Sequence, residues 1–321
     1  MEEKNTIDQD RAVAIKREES PKPRFRDRAI KHVKKHSLVY LFLVPILGHF
    51  AIFYVGPIIF SFVITFMDYP IVGTPEFIAF DNWKRFFNDA NAWKSIGNTV
   101  MFSLLYIVPT MALGLLFATL IHSLKRRWAT VFKGVFFLPV VTSFVVISGI
   151  WAWMFRGNSE GFVNQFLALF GVPEQLFLSS SSQALMVLAG LSIYKVVGNT
   201  MIYYYAGLQG IPDDVYEAAK IDGSGRLKTF FKITMPLLMP IHLYVAITTT
   251  IGSFQIFDSA FLLTSGGPNY ATNTIVYYMY QQGFTAYDFG YASVLAYVLF
   301  FFIFIVSMIQ KRYLGKQVDY N

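Results

Sequence analysis

Polar and ionisable side chains set inside long apolar stretches mark the places where this chain has chemistry to do, because each is expensive to keep there. One stretch carries Tyr194, Lys195, Asn199 and Tyr203, with Thr200, Tyr204 and Tyr205 among them. Helical spacing sets Lys195 and Asn199 on one face and Tyr203 a turn further on. A second stretch carries Ser253, Gln255 and Asp258 beside Phe254 and Phe257, and Asn273 and Tyr277 follow a Gly-Gly-Pro turn. Amides, phenols and flat rings suit a polyhydroxylated solute, whose hydroxyls take hydrogen bonds and whose ring faces lie on aromatic surfaces. Two other uses stay open. Tyrosines at the ends of apolar stretches also serve as interface anchors, and polar groups also hold helices together. Lys195 in particular meets either a solute, an acidic saccharide included, or Asp258 on another helix.

Covalent chemistry has no visible apparatus. The chain has no cysteine, so it offers neither disulfide nor thiolate, and it contains no His-Glu-x-x-His pattern and no serine nucleophile elbow. The nearest approach to a phosphate loop, Gly223-Ser224-Gly225-Arg226-Leu227-Lys228-Thr229, lacks glycine before the lysine and follows no strand. The expectation is therefore no catalytic residue, no metal site and no cofactor bound by this chain.

The elements that position these residues are read from hydropathy. With 321 residues, 55% of them hydrophobic, 15% charged and 18% aromatic, and a mean hydropathy of +0.45, the composition fits a bilayer as solvent. A helix needs roughly 20 apolar residues to cross the hydrocarbon core, and six stretches qualify: about 38 to 67, 96 to 121, 131 to 155, 184 to 208, 237 to 263 and 288 to 310. The first follows a long charged segment, has no small-residue cleavage site and exceeds a signal-peptide core, so it is expected to remain as an anchor. Pro45, Pro57, Pro109 and Pro139 fall inside these stretches and are expected to kink them. Between spans, the aromatic run from Phe77 to Trp93, the apolar patch Phe162 to Phe170 and the turn Ser265-Gly266-Gly267-Pro268 read as interfacial or re-entrant loops, with Ser179 to Ser182 placed to cap the next span. The expected fold is an all-α polytopic membrane bundle of about six transmembrane helices, residues 37–313. A basic arm, residues 1–36, precedes it and a short tail, residues 314–321, follows it.

Charge sets the orientation. Of 27 Lys and Arg residues, eleven precede the first span and four lie in the second-to-third connection (Lys125, Arg126, Arg127 and Lys133). The sides alternate so that only Lys84, Arg85, Lys94 and Arg156 fall opposite, which puts both termini in the cytoplasm. This distribution explains the net charge of +7 through topology and contact with anionic lipid rather than through nucleic acid.

The most specific signal lies on the basic side, between the fourth and fifth stretches. Pro212 with Asp213 and Asp214 opens a helix, since proline suits a first turn and acids suit a helix amino terminus. Gly223 closes it, supplying the left-handed conformation of a helix end. A second helix runs from about Gly225 toward Pro236, making an elbow across residues 209–236. Ala218, Ala219 and Gly223 leave little bulk, so a partner's cleft is able to close on the backbone there, and Glu217 supplies a charge anchor.

Glu217-Ala218-Ala219, Asp222-Gly223 and the downstream Pro236 and Pro240 resemble the EAA loop of permease subunits of ATP-binding-cassette importers. The likeness covers residues 38 to 313. Phe137-Leu138-Pro139, Ala206-Gly207-Leu208-Gln209-Gly210-Ile211-Pro212, Thr264-Ser265-Gly266-Gly267-Pro268 and Gly290-Tyr291-Ala292-Ser293 are similar to the sugar-importing branch, the maltose, glycerol-phosphate and multiple-sugar permeases. Two departures stand: Ser224 where alanine is common, and Ala79 where glycine is expected before Asn82-Trp83. The resemblance implies a permease of the bacterial cytoplasmic (inner) membrane, paired with a second, homologous permease as a heterodimer. It further implies two ATPase subunits, which use the ATP and magnesium, and an extracytoplasmic solute-binding protein that delivers a sugar or oligosaccharide. Glu217, Ala218, Ala219, Asp222 and Gly223 would then couple to the ATPase, and transport would proceed by alternating access. An importer of an acidic saccharide or other polar solute remains an alternative. So does an ion-coupled secondary transporter using Lys195 and Asp258 as its charge pair, although it leaves the elbow unexplained.

Overall fold

The computed structural model describes residue 35 and residues 37–70 and 72–315. The basic arm, Lys35 apart, and the tail past Gly315 lie outside the described residues. The chain divides into two compact units, residues up to Phe60 and residues from Ser61 onward. Helix α1, Ser37–Ile64, is long and apolar enough to cross a membrane. Its ladder widens into a π-turn at Ala51–Val55, just ahead of Pro57, whose missing N–H interrupts regular pairing.

In the second unit a small antiparallel hairpin, β1 at Met67–Asp68 and β2 at Glu76–Phe77, sets Met67 opposite Phe77. Ala79 follows with φ 52°, so the expected glycine conformation is kept with a side chain in it. Helix α2, Asp81–Asn88, is fixed by buried Asn82, whose Nδ2 donates to the carbonyls of Thr65 and Met67 at 3.2 and 2.9 Å. Helix α3, Ala90–His122, is the second span.

The third span is broken. Helix α4, Arg126–Val141, and helix α5, Phe144–Met154, meet at 92°, three residues past Pro139, a full break where a kink was expected. A short helix, α6 at Phe162–Ala168, lies in the loop between the third and fourth spans. Its loop is organised by buried Asn164, which donates to the carbonyls of Arg156, Asn158 and Gln175 and accepts from the Gln175 N–H. Helix α7, Ala184–Gln209, is the fourth span, and no serine side chain caps it; the Ser180 main-chain carbonyl takes the Ala184 N–H instead.

Helix α8, Asp213–Ile221, begins the elbow. Helix α9, Arg226–Leu237, is set at 67° to helix α10, Met239–Phe254, the fifth span. Helix α11, Ile275–Tyr280, runs on through a π-turn at Gln281–Thr285. Helix α12, Phe289–Gly315, is the sixth span. Four helices are long and apolar enough to cross a membrane, and six spans result when each bent pair counts as one.

The core is the contact of α3 with α7, flanked by α10 and α12. Backbones approach closely at Gly114, where a Cβ would stand 2.4 Å from Thr200 Cγ2. Many polar residues of the spans need no functional account. Thr99, Ser103 and Thr110 return their hydroxyls to the carbonyls of Ser95, Thr99 and Tyr106, and Ser192 and Thr249 do the same one turn back.

Candidate functional site

The elbow is built as its sequence dictates, with one correction. Pro212 sits one residue ahead of α8, and Asp213 and Asp214 occupy the first turn. The helix ends in a Schellman motif: Ser224 N–H donates to the Ala219 carbonyl at 2.9 Å and Gly223 N–H to the Lys220 carbonyl at 3.0 Å, with Gly223 at φ +70°. Thr229 Oγ1 donates to Ser224 Oγ at 3.2 Å, and Tyr216 and Thr234 hydroxyls meet at 3.3 Å, joining the two helices. Glu217, Ala218, Asp222 and Gly223 are exposed. Ala219 is not: it is only 4% exposed. Ala219 is the buried residue of α8, with Val215 half-buried one turn before it, so of the two alanines only Ala218 presents a bare surface outward. Sequence reading missed the apolar part of that surface. Ile221 is 85% exposed, Leu227 76% and Phe231 64%. Large apolar residues in a charged loop, off the buried face of their helix, were the signal.

The residues proposed for a solute pathway separate into two sets. Asn273, expected at an outer rim, is 1% exposed. Its Nδ2 donates to Gln281 Oε1 at 2.9 Å, its side chain lies 3.5 Å from Ser95 Oγ, and its carbonyl takes a bond from Asn98. Its amide is spent on holding the loop, because the Gly-Gly-Pro turn folds back over α3. Tyr277 is buried too, within an aromatic cluster where Phe257, Phe261 and Tyr280 have ring centroids 5.2 to 6.3 Å apart. Phe257 and Tyr280 line a cavity of about 360 Å³ with Phe284, Phe289 and Ser293. A second cavity, about 440 Å³, opens among Ser265, Asn269, Tyr270, Asn273 and Gln281.

Lys195 and Asp258 do not pair. The Lys195 Nζ donates to the carbonyls of Pro139, at 2.7 Å, of Val140, at 2.9 Å, and of Thr142. An ammonium has three N–H bonds, and three acceptors take them, which leaves none for an acidic saccharide or for Asp258. The break between α4 and α5 is the cause, since it strands carbonyls that a continuous helix would satisfy. Tyr194 instead lies beside Trp151, ring centroids 6.0 Å apart, and Tyr203 meets Tyr244 of α10 edge-on at 5.1 Å. Tyr194, Tyr203, Gln255 and Asp258 are exposed and Asn199 is half-buried. Gln255 lies eleven residues beyond Tyr244, close to the same side of the fifth span.

At the start of α3 a carboxylate fastens three elements. Asp89 Oδ1 accepts the N–H groups of Asn91 and Ala92, capping α3, while Oδ2 accepts the hydroxyls of Tyr278 and Tyr291, both at 2.6 Å. Burial by itself raises the Asp89 carboxyl, but the two phenol bonds and the two backbone N–H bonds outweigh it and hold the group below its ordinary value. Arg85 lies 3.9 Å from the Tyr291 ring centroid and pairs with Asp288 at 2.5 Å. Among the described residues no group of His, Asp or Glu is arranged to hold a metal ion.

Residues 88–319 match the family described as binding-protein-dependent transport system inner membrane component. The chain is 32% identical to the probable ABC transporter permease protein YurN of Bacillus subtilis (strain 168), over 87% of this chain and 97% of that one. It is 29% identical to the arabinooligosaccharides transport system permease protein AraP of the same organism, over 88% and 90%. With the sn-glycerol-3-phosphate transport system permease protein UgpA of Shigella flexneri the identity is 30%, over 94% and 99%. In fold it is similar to a chain in the crystal structure of a bacterial alginate ABC transporter in complex with alginate pentasaccharide-bound periplasmic protein. There the TM-score is 0.78 at 23% identity, covering 88% of this chain and 95% of that one.

Proposed function

We propose, because the chain belongs to the family of binding-protein-dependent transport system inner membrane components, that it is the membrane-spanning permease subunit of an ATP-driven importer of a sugar or oligosaccharide. One observation carries the solute reading. Tyr203, Tyr244, Gln255 and Asp258 are exposed on or at the ends of two neighbouring spans, and lipid is an unfavourable neighbour for an amide and a carboxylate. A water-filled path, closed on its other side by a second permease, satisfies them. Phenols and amides are the groups that a saccharide's hydroxyls require. The relatives' names, arabinooligosaccharides and sn-glycerol-3-phosphate among them, support a polyhydroxylated solute.

The rest of the assembly follows from the elbow. One of two ATPase subunits docks on Glu217, Ala218, Asp222 and Gly223, with Ile221, Leu227 and Phe231 as apolar contacts, the other docks on the second permease, and a solute-binding protein delivers cargo at the outer loops. Closure of the ATPase pair pulls the elbow and swings the bundle between inward-facing and outward-facing states, which is alternating access. ATP and magnesium belong to the ATPase subunits. The second permease is a homologue rather than a copy, and both termini lie in the cytoplasm, as the basic residues require. The ion-coupled alternative loses its motive, because Lys195 is bonded to carbonyls and not to Asp258.

Affinity purification of the tagged chain in mild detergent tests the proposal, followed by identification of what co-purifies and an ATPase assay on the product. Recovery of a second permease and an ATPase is the expected result. A lone chain that carries solute down an ion gradient would overturn it.

A further inference from the structure

We propose that Lys195 is a positioning residue whose ammonium caps the break in the third span and pins that broken helix to α7, so that the two travel as one piece during transport. The proposal rests on the permease reading. Thr142 and Ser143 are extended, at ψ 145° and 131°, which turns the chain off the axis of α4 and strands its last carbonyls at membrane depth. Lipid offers no donor for them. Lys195 supplies three donors from one flexible stem, to Pro139, Val140 and Thr142. It makes no ion pair among the described residues, and its positive charge sits at the negative end of the α4 dipole.

Two glycines of α7 extend the joint along both limbs. A Cβ at Gly198 would stand 2.2 Å from the Phe136 carbonyl oxygen, so α4 and α7 touch backbone to backbone one turn from the lysine. A Cβ at Gly190 would lie 3.3 Å from the Trp151 ring, on the α5 limb. The inner limb, the break and the outer limb are therefore each held by α7. That same helix ends at Gln209, four residues before the elbow begins at Asp213. A pull on the elbow reaches the third span through this joint.

The chain has no cysteine, so cysteine pairs placed in it at exposed sites accept spin labels selectively. Val146 with Met186 reports on the outer limb and Val135 with Ala206 on the inner. In the reconstituted complex both distances are expected to agree within about 2 Å between the nucleotide-free and ATP-trapped states. Lys195→Met is expected to broaden the distances and to cut the solute moved per ATP by about fivefold or more, while the KM for loaded binding protein changes by less than about twofold. Distances that shift between states with Lys195 intact would overturn the proposal, and they decide the matter even where the variant fails to assemble. A Lys195→Met effect confined to KM, or none on solute moved per ATP, would also overturn it. Absence of ATP-driven transport by the unmodified complex removes the permease reading and this proposal with it.

Discussion

Replacing Gly223 separates two roles that one glycine combines at the end of α8: shaping the turn and leaving the surface bare. Its φ of +70° lies in the left-handed region, and a Cβ built there meets no atom within 4 Å. A side chain therefore adds no clash inside this chain, and the whole internal cost is conformational. For alanine that cost is about 1–2 kcal/mol, roughly a 5- to 30-fold shift toward a frayed helix end. Asparagine tolerates the left-handed region, so Gly223→Asn is expected to keep the Schellman bonds from Ser224 to Ala219 and from Gly223 to Lys220 almost intact. If the surface beside Gly223 receives an ATPase subunit, both variants put atoms where that subunit must close. Gly223→Asn is then expected to lower ATP-driven uptake in proteoliposomes by about tenfold, equivalent to ~1.4 kcal/mol of docking, with the melting temperature of the purified chain unchanged. Gly223→Ala is expected to lose the same uptake and some stability besides. Wild-type uptake by Gly223→Asn together with loss in Gly223→Ala would refute the docking argument, because it would assign the glycine to the turn alone.

Other perturbations follow from the same geometry. Asp89→Ala removes a cap worth about 1 kcal/mol and strands two buried phenols at about 1–3 kcal/mol each, so a loss of at least about 3 kcal/mol is expected in denaturant titration of the purified chain. Because the folded Asp89 carboxyl lies below its ordinary value, its contribution is complete above about pH 4 and disappears as pH falls through the folded value; melting curves of the wild type should drop there while Asp89→Asn stays flat. Ala79→Gly relieves a φ of 52° at the cost of a looser unfolded chain, for a net gain of about 0.5 kcal/mol in the same titration. Asn273→Ala should destabilise by about 2 kcal/mol, as a buried amide with its bonds removed. Asp258→Asn should leave stability within about 0.5 kcal/mol and instead raise the KM for uptake, so unchanged transport kinetics would take Asp258 out of the pathway.

How much of this was legible in the sequence depends on the range of the rule involved. The elbow was legible because helix starts and stops are local: Pro212, Asp213 and Gly223 act within one or two turns. The spans were legible because a bilayer imposes length and apolarity on each separately. The breaks were not. Pro139 announced a kink, but the 92° between α4 and α5 needs a neighbouring lysine to satisfy the carbonyls it exposes, and that neighbour lies more than fifty residues away in the chain. Pairing Lys195 with Asp258 failed for the same reason, since periodicity gives the face of a helix and not what stands opposite it. Ala218 and Ala219 looked equivalent as residue types, yet the phase of α8 buries one and exposes the other. Ala79 shows the reverse case: the expected glycine is absent and the turn forms with a left-handed alanine.

Hydrogen-bonding capacity then separates frame from site among the polar residues of the spans. Lys195 spends every donor on the third span, and Asn273 spends its amide on Gln281. A solute that displaced either bond would have to replace it at equal strength and would loosen the helix packing at the same time, so neither residue is suited to transient contact. Asn199, Gln255 and Asp258 have side chains with capacity to spare, and Tyr203 presents its ring at the surface beside Tyr244. Weak, replaceable contacts are what passage requires, since a group that binds tightly also releases slowly. The frame residues hold α7 to the third span and the Gly-Gly-Pro loop to α3, while Tyr203, Gln255 and Asp258 are exposed and Asn199 is half-buried. In the proposed transport cycle, a frame that moved as one piece would carry the open residues with it without breaking a bond within it, which is the property alternating access needs from a permease.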